Sequence, residues 1–145
     1  PNLTDSEWQW GEGYESVMTA ITSGRQAAMP PLAAALGENG PSEVAEYVVS
    51  LSGAEADQAL ATAGEQKFAM FCAACHGMDG SGNPMLGAPN LANDIWLYSN
   101  DRETIIEGIH QGRNGAMPAF EGQLNEARRR ILAAYVLSLG NNSDH

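Results

Sequence analysis

The stretch Cys72-Ala73-Ala74-Cys75-His76 decides how the rest of this sequence is read. Two thiols three positions apart on a helical turn can reach the two vinyl groups on one edge of a porphyrin. The adjacent histidine then lies under the iron as its proximal ligand. C-x-x-C-H is accordingly the attachment pattern of covalent haem c. The same residues admit two other readings, a thioredoxin-like redox pair or half of a zinc site. A redox pair goes with a strand–helix unit, and no convincing strand is legible. A four-ligand zinc site needs further cysteines or suitably placed histidines. Beyond His76 only His110 and His145 remain, at unsuitable spacings.

Working outward, Cys72 and Cys75 are the only cysteines, which excludes a disulfide framework as the basis of the fold. The 145 residues suit a single domain by length, able to bury about 70% of its extended-chain surface without staples. Eighteen acidic residues against seven basic ones give a net charge of -11, which argues against nucleic-acid binding, since phosphate contacts need clustered Lys and Arg. No apolar run approaches the roughly 20 residues of a membrane helix. The chain starts at Pro1 without a charged n-region or apolar h-region, so a mature or cut product is expected.

An internal repeat overrules the single-domain prior. At a constant offset of 88 residues, Pro1-Asn2-Leu3 matches Pro89-Asn90-Leu91 and Trp8 matches Trp96. Gly24-Arg25 matches Gly112-Arg113, and Ala28-Met29-Pro30 matches Ala116-Met117-Pro118. Tyr47-Val48 and Ser50-Leu51 recur as Tyr135-Val136 and Ser138-Leu139. The first copy has no counterpart of residues 57–88, because Cys72 would map before the chain begins. Residues 1–53 are therefore expected to be the C-terminal half of a truncated domain, residues 54–145 a complete one. A short, soft linker, Ser52-Gly53-Ala54-Glu55-Ala56-Asp57, joins them.

The spacing predicts an all-α, loop-rich architecture. A helix over 57–71 opens at Asp57 and carries Leu60, Gly64, Phe68 and Phe71 on one face. Gly64 costs up to about 1 kcal/mol against Ala in mid-helix, which points to a close helix crossing there. Residues 77–100 and 112–122 read as loop. Between them a helix near 102–111 has Asp101 as N-cap and Ile105, Ile106 and Ile109 inward. The last helix, about 126–139, turns Leu132, Tyr135, Val136 and Leu139 inward. The first copy repeats this face as Val44, Tyr47, Val48 and Leu51, with Ser42 as N-cap. Arg128-Arg129-Arg130 reads as a solvated helix face.

A second axial ligand has to come from elsewhere in the chain. His110 has only Thr22 as its repeat counterpart and sits at an exposed helix end. Met117 precedes Pro118, which disfavours helix at position 117 and holds it extended. The repeat keeps this Met-Pro pair at Met29-Pro30. Met18 reads as helical core, while Met70, Met78 and Met85 sit near the attachment motif and read as pocket lining.

On these residues the chain resembles class I cytochrome c, fully over 57–139 and as a half-copy over 1–51. The resemblance implies a cytochrome c-like helical domain around a covalent haem, preceded by the C-terminal half of another such domain. It makes Gly64 and Phe68 the N-terminal helix contact and Tyr135 their partner on the last helix. It makes the Pro89 carbonyl of Gly87-Ala88-Pro89-Asn90-Leu91 the acceptor for the Nδ1–H of His76, and Arg113 a partner of a haem propionate. Asp94-Ile95-Trp96-Leu97-Tyr98, Gly112 through Phe120 and the ending Ala134-Tyr135-Val136 through Leu139 narrow the resemblance. They are similar to the tandem dihaem cytochrome c subunit (subunit III) of cbb3-type oxidases. The membrane anchor and first attachment motif of that family are absent, so one covalent haem is expected and a second site is lost with the missing half.

Two ligand assignments are open. In the simple one, His76 and Met117 hold the haem and Met29 is orphaned; it needs no rearrangement and is the one expected. In the crossed one, the units exchange methionines, Met29 reaching the haem on Cys72 and Met117 serving the missing one. The crossed version would explain how a half-domain stays ordered, by packing onto a haem.

With both axial positions filled, iron has no open site for substrate, and Met ligation raises its potential. No side chain is expected to be catalytic; the implied function is one-electron transfer. The resemblance implies a donor cytochrome or cytochrome bc1 complex, and the catalytic subunits of an oxygen-reducing oxidase as acceptor. It also implies a periplasmic location, with the membrane touched only through the missing anchor. Alternatives are a free-standing soluble carrier, a haem peroxidase or a gas sensor, the last two needing an open or displaceable iron ligand. The acidity is shared between the copies: -6 over residues 1–53 and -5 over 54–145. It suits a basic partner and plain solubility equally.

Overall fold

A computed structural model of the chain describes residues 1–140. The elements run α1 (Tyr14–Ser23), β1 (Arg25–Met29), α2 (Ala33–Leu36), α3 (Gly40–Leu51), α4 (Gln58–Phe71), α5 (Ala73–His76), α6 (Arg102–Gln111), β2 (Arg113–Met117) and α7 (Glu126–Gly140). The fold is mainly helical. Two cap assignments hold as read: Asp57 accepts from the amides of Ala59 and Leu60, and Asp101 from that of Thr104. Helix α3 instead begins at Gly40 behind Asn39, with Pro41 in its first turn, so Ser42 lies inside it.

The strands are the first departure from the sequence reading. β1 and β2 pair antiparallel, Arg25 opposite Met117 and Met29 opposite Arg113, with Ala27 opposite Gly115 at the centre. Short segments rich in Ala and Gly carry no alternation to announce a strand. Each is the repeat of the other, and they pair symmetrically. Ala27 and Gly115 are 88 residues apart, so the ribbon meets its own copy at a local pseudo-twofold axis. The contacts at its ends obey the same symmetry. The amide of Leu32 donates to the carbonyl of Ile109 at 2.9 Å, and that of Phe120 to Ile21 at 3.0 Å. Gly24 (φ +71°) packs against the Met117 carbonyl and Gly112 (φ +73°) against that of Met29. A β-carbon at either would collide with that oxygen.

The ribbon is also a crossover. β1 leads from α1 into α2 and α3, while β2 leads from α6 into α7. Helix α3 packs on α4 and α6, and α1 packs on α7. Each of the two apolar clusters is thus built from both copies of the repeat. One, the attachment lobe, gathers Leu36, Val44 and Val48 of the first copy with Phe68, Cys72, Ala73 and Ile109 of the second. The other gathers Val17 and Ile21 with Ala133, and Trp8, Met18, Phe120, Val136 and Leu137 around them. The helices therefore do not pack as two consecutive units meeting at residue 53.

Packing in the attachment lobe runs along an antiparallel α3–α4 pair. Gly64 lies so close to the Glu43 carbonyl that a β-carbon would collide with it. Phe68 and Tyr47 meet ring to ring, centroids 5.2 Å apart and tilted by 58°. Val44 and Phe68 are each 1% exposed, and burial of such side chains contributes roughly 1.5–3 kcal/mol apiece. Lys67 pairs with Glu43 across the same interface. Glu46, buried on α3, takes the Nε–H of Arg102 on one carboxylate oxygen and the amide of Asp57 on the other. Arg102 also donates to the carbonyl of Glu55 at 2.6 Å, so the soft linker is tied to α3 and α6.

Helix α7 is less covered. Ala133 is fully buried, but Leu132 and Tyr135 are exposed, which corrects the expectation that they face inward. The partner expected of Tyr135 is met by its repeat counterpart: Tyr47 is what Gly64 and Phe68 touch. Arg130 pairs with Glu126, whereas the Arg129 side chain is only 11% exposed and lies 3.8 Å from Glu121. The triple-arginine stretch is thus not uniformly a solvated face.

Candidate functional site

The thiols and the imidazole sit where α4 ends and the single turn of α5 begins. The amides of Cys75 and His76 both donate to the Cys72 carbonyl, and Gly77 (φ +80°) stops the turn. Cys72 is buried and Cys75 exposed, both as free thiols. Burial, with the neighbouring Cys75, pushes the Cys72 thiol up to about 11, so it is neutral near pH 7.

His76 is 9% exposed. Its Nδ1 lies 3.1 Å from the carbonyl oxygen of Pro89, which can only accept, so Nδ1 carries the proton. Burial lowers the His76 pKa and the Pro89 contact opposes that shift. The result is a neutral imidazole with Nδ1–H engaged, leaving the Nε2 lone pair as the ring's metal-binding atom. Residues 77–91 hold Pro89 in place. The amide of Gly82 donates to the His76 carbonyl at 2.7 Å, that of Leu91 to Gly80 at 2.7 Å, and Asn83 and Ala88 bond to each other.

Of the sequence-selected methionines, the fold brings Met29 to this place. Met29 packs against the cluster that contains Phe68, Cys72 and Ala73. Met117 lies at the opposite end of the ribbon, about 13 Å away along a five-residue strand. There it is 39% exposed and borders a depression lined by Ser23, Gly24, Arg25, Gln26 and Pro118. Met18 packs in the second cluster, as read from its helical position. Met70, Met78 and Met85 point to solvent, each more than two-thirds exposed. His110 is exposed near the end of α6, and His145 lies outside the described residues.

Arg113 stands beside Met29 by strand register. Its guanidinium lies 4.4 Å from the Tyr98 ring centroid and donates from Nη2 to the Thr104 carbonyl at 2.9 Å. The first copy repeats this as Arg25 over Trp10 (5.0 Å), donating to Ser16 at 3.3 Å. Buried Arg25 Nε has no partner among the described residues.

Cys72 and Met29 thus share one apolar cluster, Cys75 and His76 lie on the turn that begins there, and Arg113 stands opposite Met29. Soft sulfur and imidazole nitrogen suit a transition metal, and the paired thiols suit a covalently held macrocycle. Among the described residues no cluster of three or more His, Cys, Asp or Glu offers a rival metal site. Sequence reasoning left open the lobe to which Met29 belongs, and missed the Glu46–Arg102 tie and the packing of Trp10 on Gly87. For Glu46 the available signal was asymmetry between the copies, since its counterpart is Ala134 and that of Arg102 is Tyr14.

Comparison with known proteins identifies the family. The family model described as cytochrome c oxidase, cbb3-type, subunit III matches residues 59–136. The cbb3-type cytochrome c oxidase subunit CcoP of Cereibacter sphaeroides is 43% identical over 151 residues, spanning 97% of this chain and 52% of its own. Subunit FixP of Bradyrhizobium sp. strain ORS 278 is 44% identical with the same coverage. Subunit CcoP of Rubrivivax gelatinosus is 42% identical over 99% of this chain and 47% of its own. The chain spans about half the length of these curated relatives.

Proposed function

Because the chain belongs to the family of cbb3-type cytochrome c oxidase subunit III, a cytochrome c family and so one that binds haem c, we propose that it carries one haem on Cys72 and Cys75 and relays single electrons towards an oxygen-reducing oxidase. The observation that carries the reading is the shared core of Met29 with the attachment turn. It favours the crossed assignment, in which His76 and Met29 would hold the haem iron and Met117 would serve another site.

Each residue then has a defined task. Cys72 and Cys75 supply the thioether sulfurs. Pro89 fixes the ring plane and tautomer of His76 and, through the Nδ1 hydrogen bond, raises its basicity towards iron. Met29 is held at the end of β1 by its pairing with Arg113 and by the Gly112 contact on its carbonyl. Arg113 supplies a cation for a propionate. When bound, the haem iron supplies a one-electron couple whose potential Met ligation raises. With His76 and Met29 holding the iron, the protein's part would be to bind, orient and exclude water.

The second lobe is the counterpart of the first without an attachment turn. Met117, Arg25 with its unpartnered Nε and the uncovered Leu132 and Tyr135 of α7 fit a second haem. That haem would be held by an attachment segment outside this sequence. On the same reading the oxidase catalytic subunits are the acceptor and a donor cytochrome or cytochrome bc1 complex the source, with the chain on the periplasmic side. No helix of the described residues is long and apolar enough to cross a membrane.

Intact mass counts covalent haems, and one is expected. Met29→Ala should abolish the Met–iron absorption band while Met117→Ala leaves it intact; the reverse result restores the simple assignment. Carbon monoxide binding to the untreated reduced protein at neutral pH would show a displaceable ligand and favour a peroxidase or sensor.

A further inference from the structure

We propose that Gln9 and Trp10 form a brace from the second lobe that positions the Pro89 carbonyl on His76, and so sets the reduction potential of the haem assigned above. The inference rests on that haem reading and goes beyond it, because residues 7–10 belong to neither the attachment turn nor the ligand set.

The geometry is specific. Gly87, two residues before Pro89, is buried under the six-membered ring of the Trp10 indole, so close that a β-carbon there would collide with it. Gly87 has φ +64°, a conformation that leaves its carbonyl free to accept from the Gln9 side-chain amide. On the far side of Pro89, the Asn93 side chain donates to Glu7. The loop is thus gripped before and after the proline by one short segment of the first copy. Trp10 is fixed in turn by the Arg25 guanidinium, itself bonded to the Ser16 carbonyl at the start of α1. A proline has a fixed φ and no N–H, so its carbonyl is aimed by its neighbours rather than by a bond of its own.

The chain of contacts runs from α1 and Arg25 through Trp10 and Gly87 to Pro89 and His76. Loosening it weakens the Nδ1–H···O bond, makes the imidazole a poorer donor and disfavours ferric iron, so the potential rises. Trp10 and Gln9 are positioning residues: they touch the loop and not the ring.

The test uses the haem-loaded protein and its Trp10→Ala, Trp10→Phe and Gln9→Ala variants, reading midpoint potential, the Met–iron band and amide exchange at Ala88 and Leu91. Trp10→Ala should raise the potential and speed exchange at both amides at least tenfold, with haem content and the Met–iron band unchanged. Gln9→Ala should move both in the same direction by less, and Trp10→Phe, which keeps a ring over Gly87, should restore most of the effect. A potential in Trp10→Ala that stays at the parent value or falls, or unaltered exchange, overturns the proposal. If Trp10→Ala does not fold, Gln9→Ala decides by the same two readouts. A parent chain without covalent haem overturns the preceding reading instead, and exchange at Ala88 and Leu91 then decides the brace alone.

Discussion

Met29 faces Arg113 directly across the two-stranded ribbon. The two residues come from different copies of the repeat, and Met29 packs against the cluster that contains Cys72. On the proposed reading, the methionine of one copy would act beside the arginine of the other. A cation near iron disfavours the ferric state. Arg113→Gln should therefore lower the midpoint potential by on the order of tens of millivolts, where 59 mV is tenfold for one electron. Arg25→Gln removes no cation from the attachment lobe and loosens Trp10, so it should not lower the potential and should raise it slightly. A spectroelectrochemical titration of both variants checks this, and equal shifts would contradict the pairing.

The Gly64 contact gives a stability prediction. A methyl group there meets the Glu43 carbonyl, which belongs to helix backbone and cannot rotate away. Gly64→Ala, favourable in an isolated helix, should instead cost about 2–3 kcal/mol by forcing α3 from α4. The equivalent change at Gly122, which has open space around it, should cost far less. Urea unfolding of both variants separates the outcomes.

Glu46 gives a pH dependence. The Arg102 side-chain hydrogen bond, offset in part by burial, holds its carboxyl below the ordinary value of 4.5. The contribution is therefore fully present above about pH 4.5 and is lost as pH falls through the depressed value. Glu46→Gln should cost about 1–2 kcal/mol at pH 7, Arg102 being half exposed. The gap between variant and parent should narrow as pH drops below 4.5. A gap that widens on acidification would rule out the ion pair as its source.

The fold and site were legible in the sequence wherever the signal was local. The two thiols and the imidazole lie within one turn, and the Asp57 and Asp101 caps act on amides two or three residues away. Gly64 announced its close crossing by breaking a helical pattern. The loop after the attachment turn was readable from its Gly, Pro and Asn content. The strands were not, because residues 25–29 and 113–117 acquire their conformation only by meeting each other, 88 residues apart.

What the sequence by itself determined is the parts list: a C-x-x-C-H turn, two copies of a helix–Met-Pro–helix unit, and residue types that can ligate a transition metal. Which copy's methionine packs against the cluster that contains Cys72 was decided by the tertiary structure alone. Val44, Tyr47, Val48 and Leu51 offer the same apolar face as Leu132, Tyr135, Val136 and Leu139, so pattern does not choose between α3 and α7 as the cover for Phe68. Chain connectivity does. Six residues separate Leu51 from Gln58, while more than fifty separate Phe71 from Glu126, so α3 reaches α4 at the smaller loop-closure cost. The Glu46–Arg102 tie, absent between Ala134 and Tyr14, then fixes α3 on α6. Once α3 is seated, the strand before it carries Met29 into the attachment lobe, and Met117 is left at the other end of the ribbon.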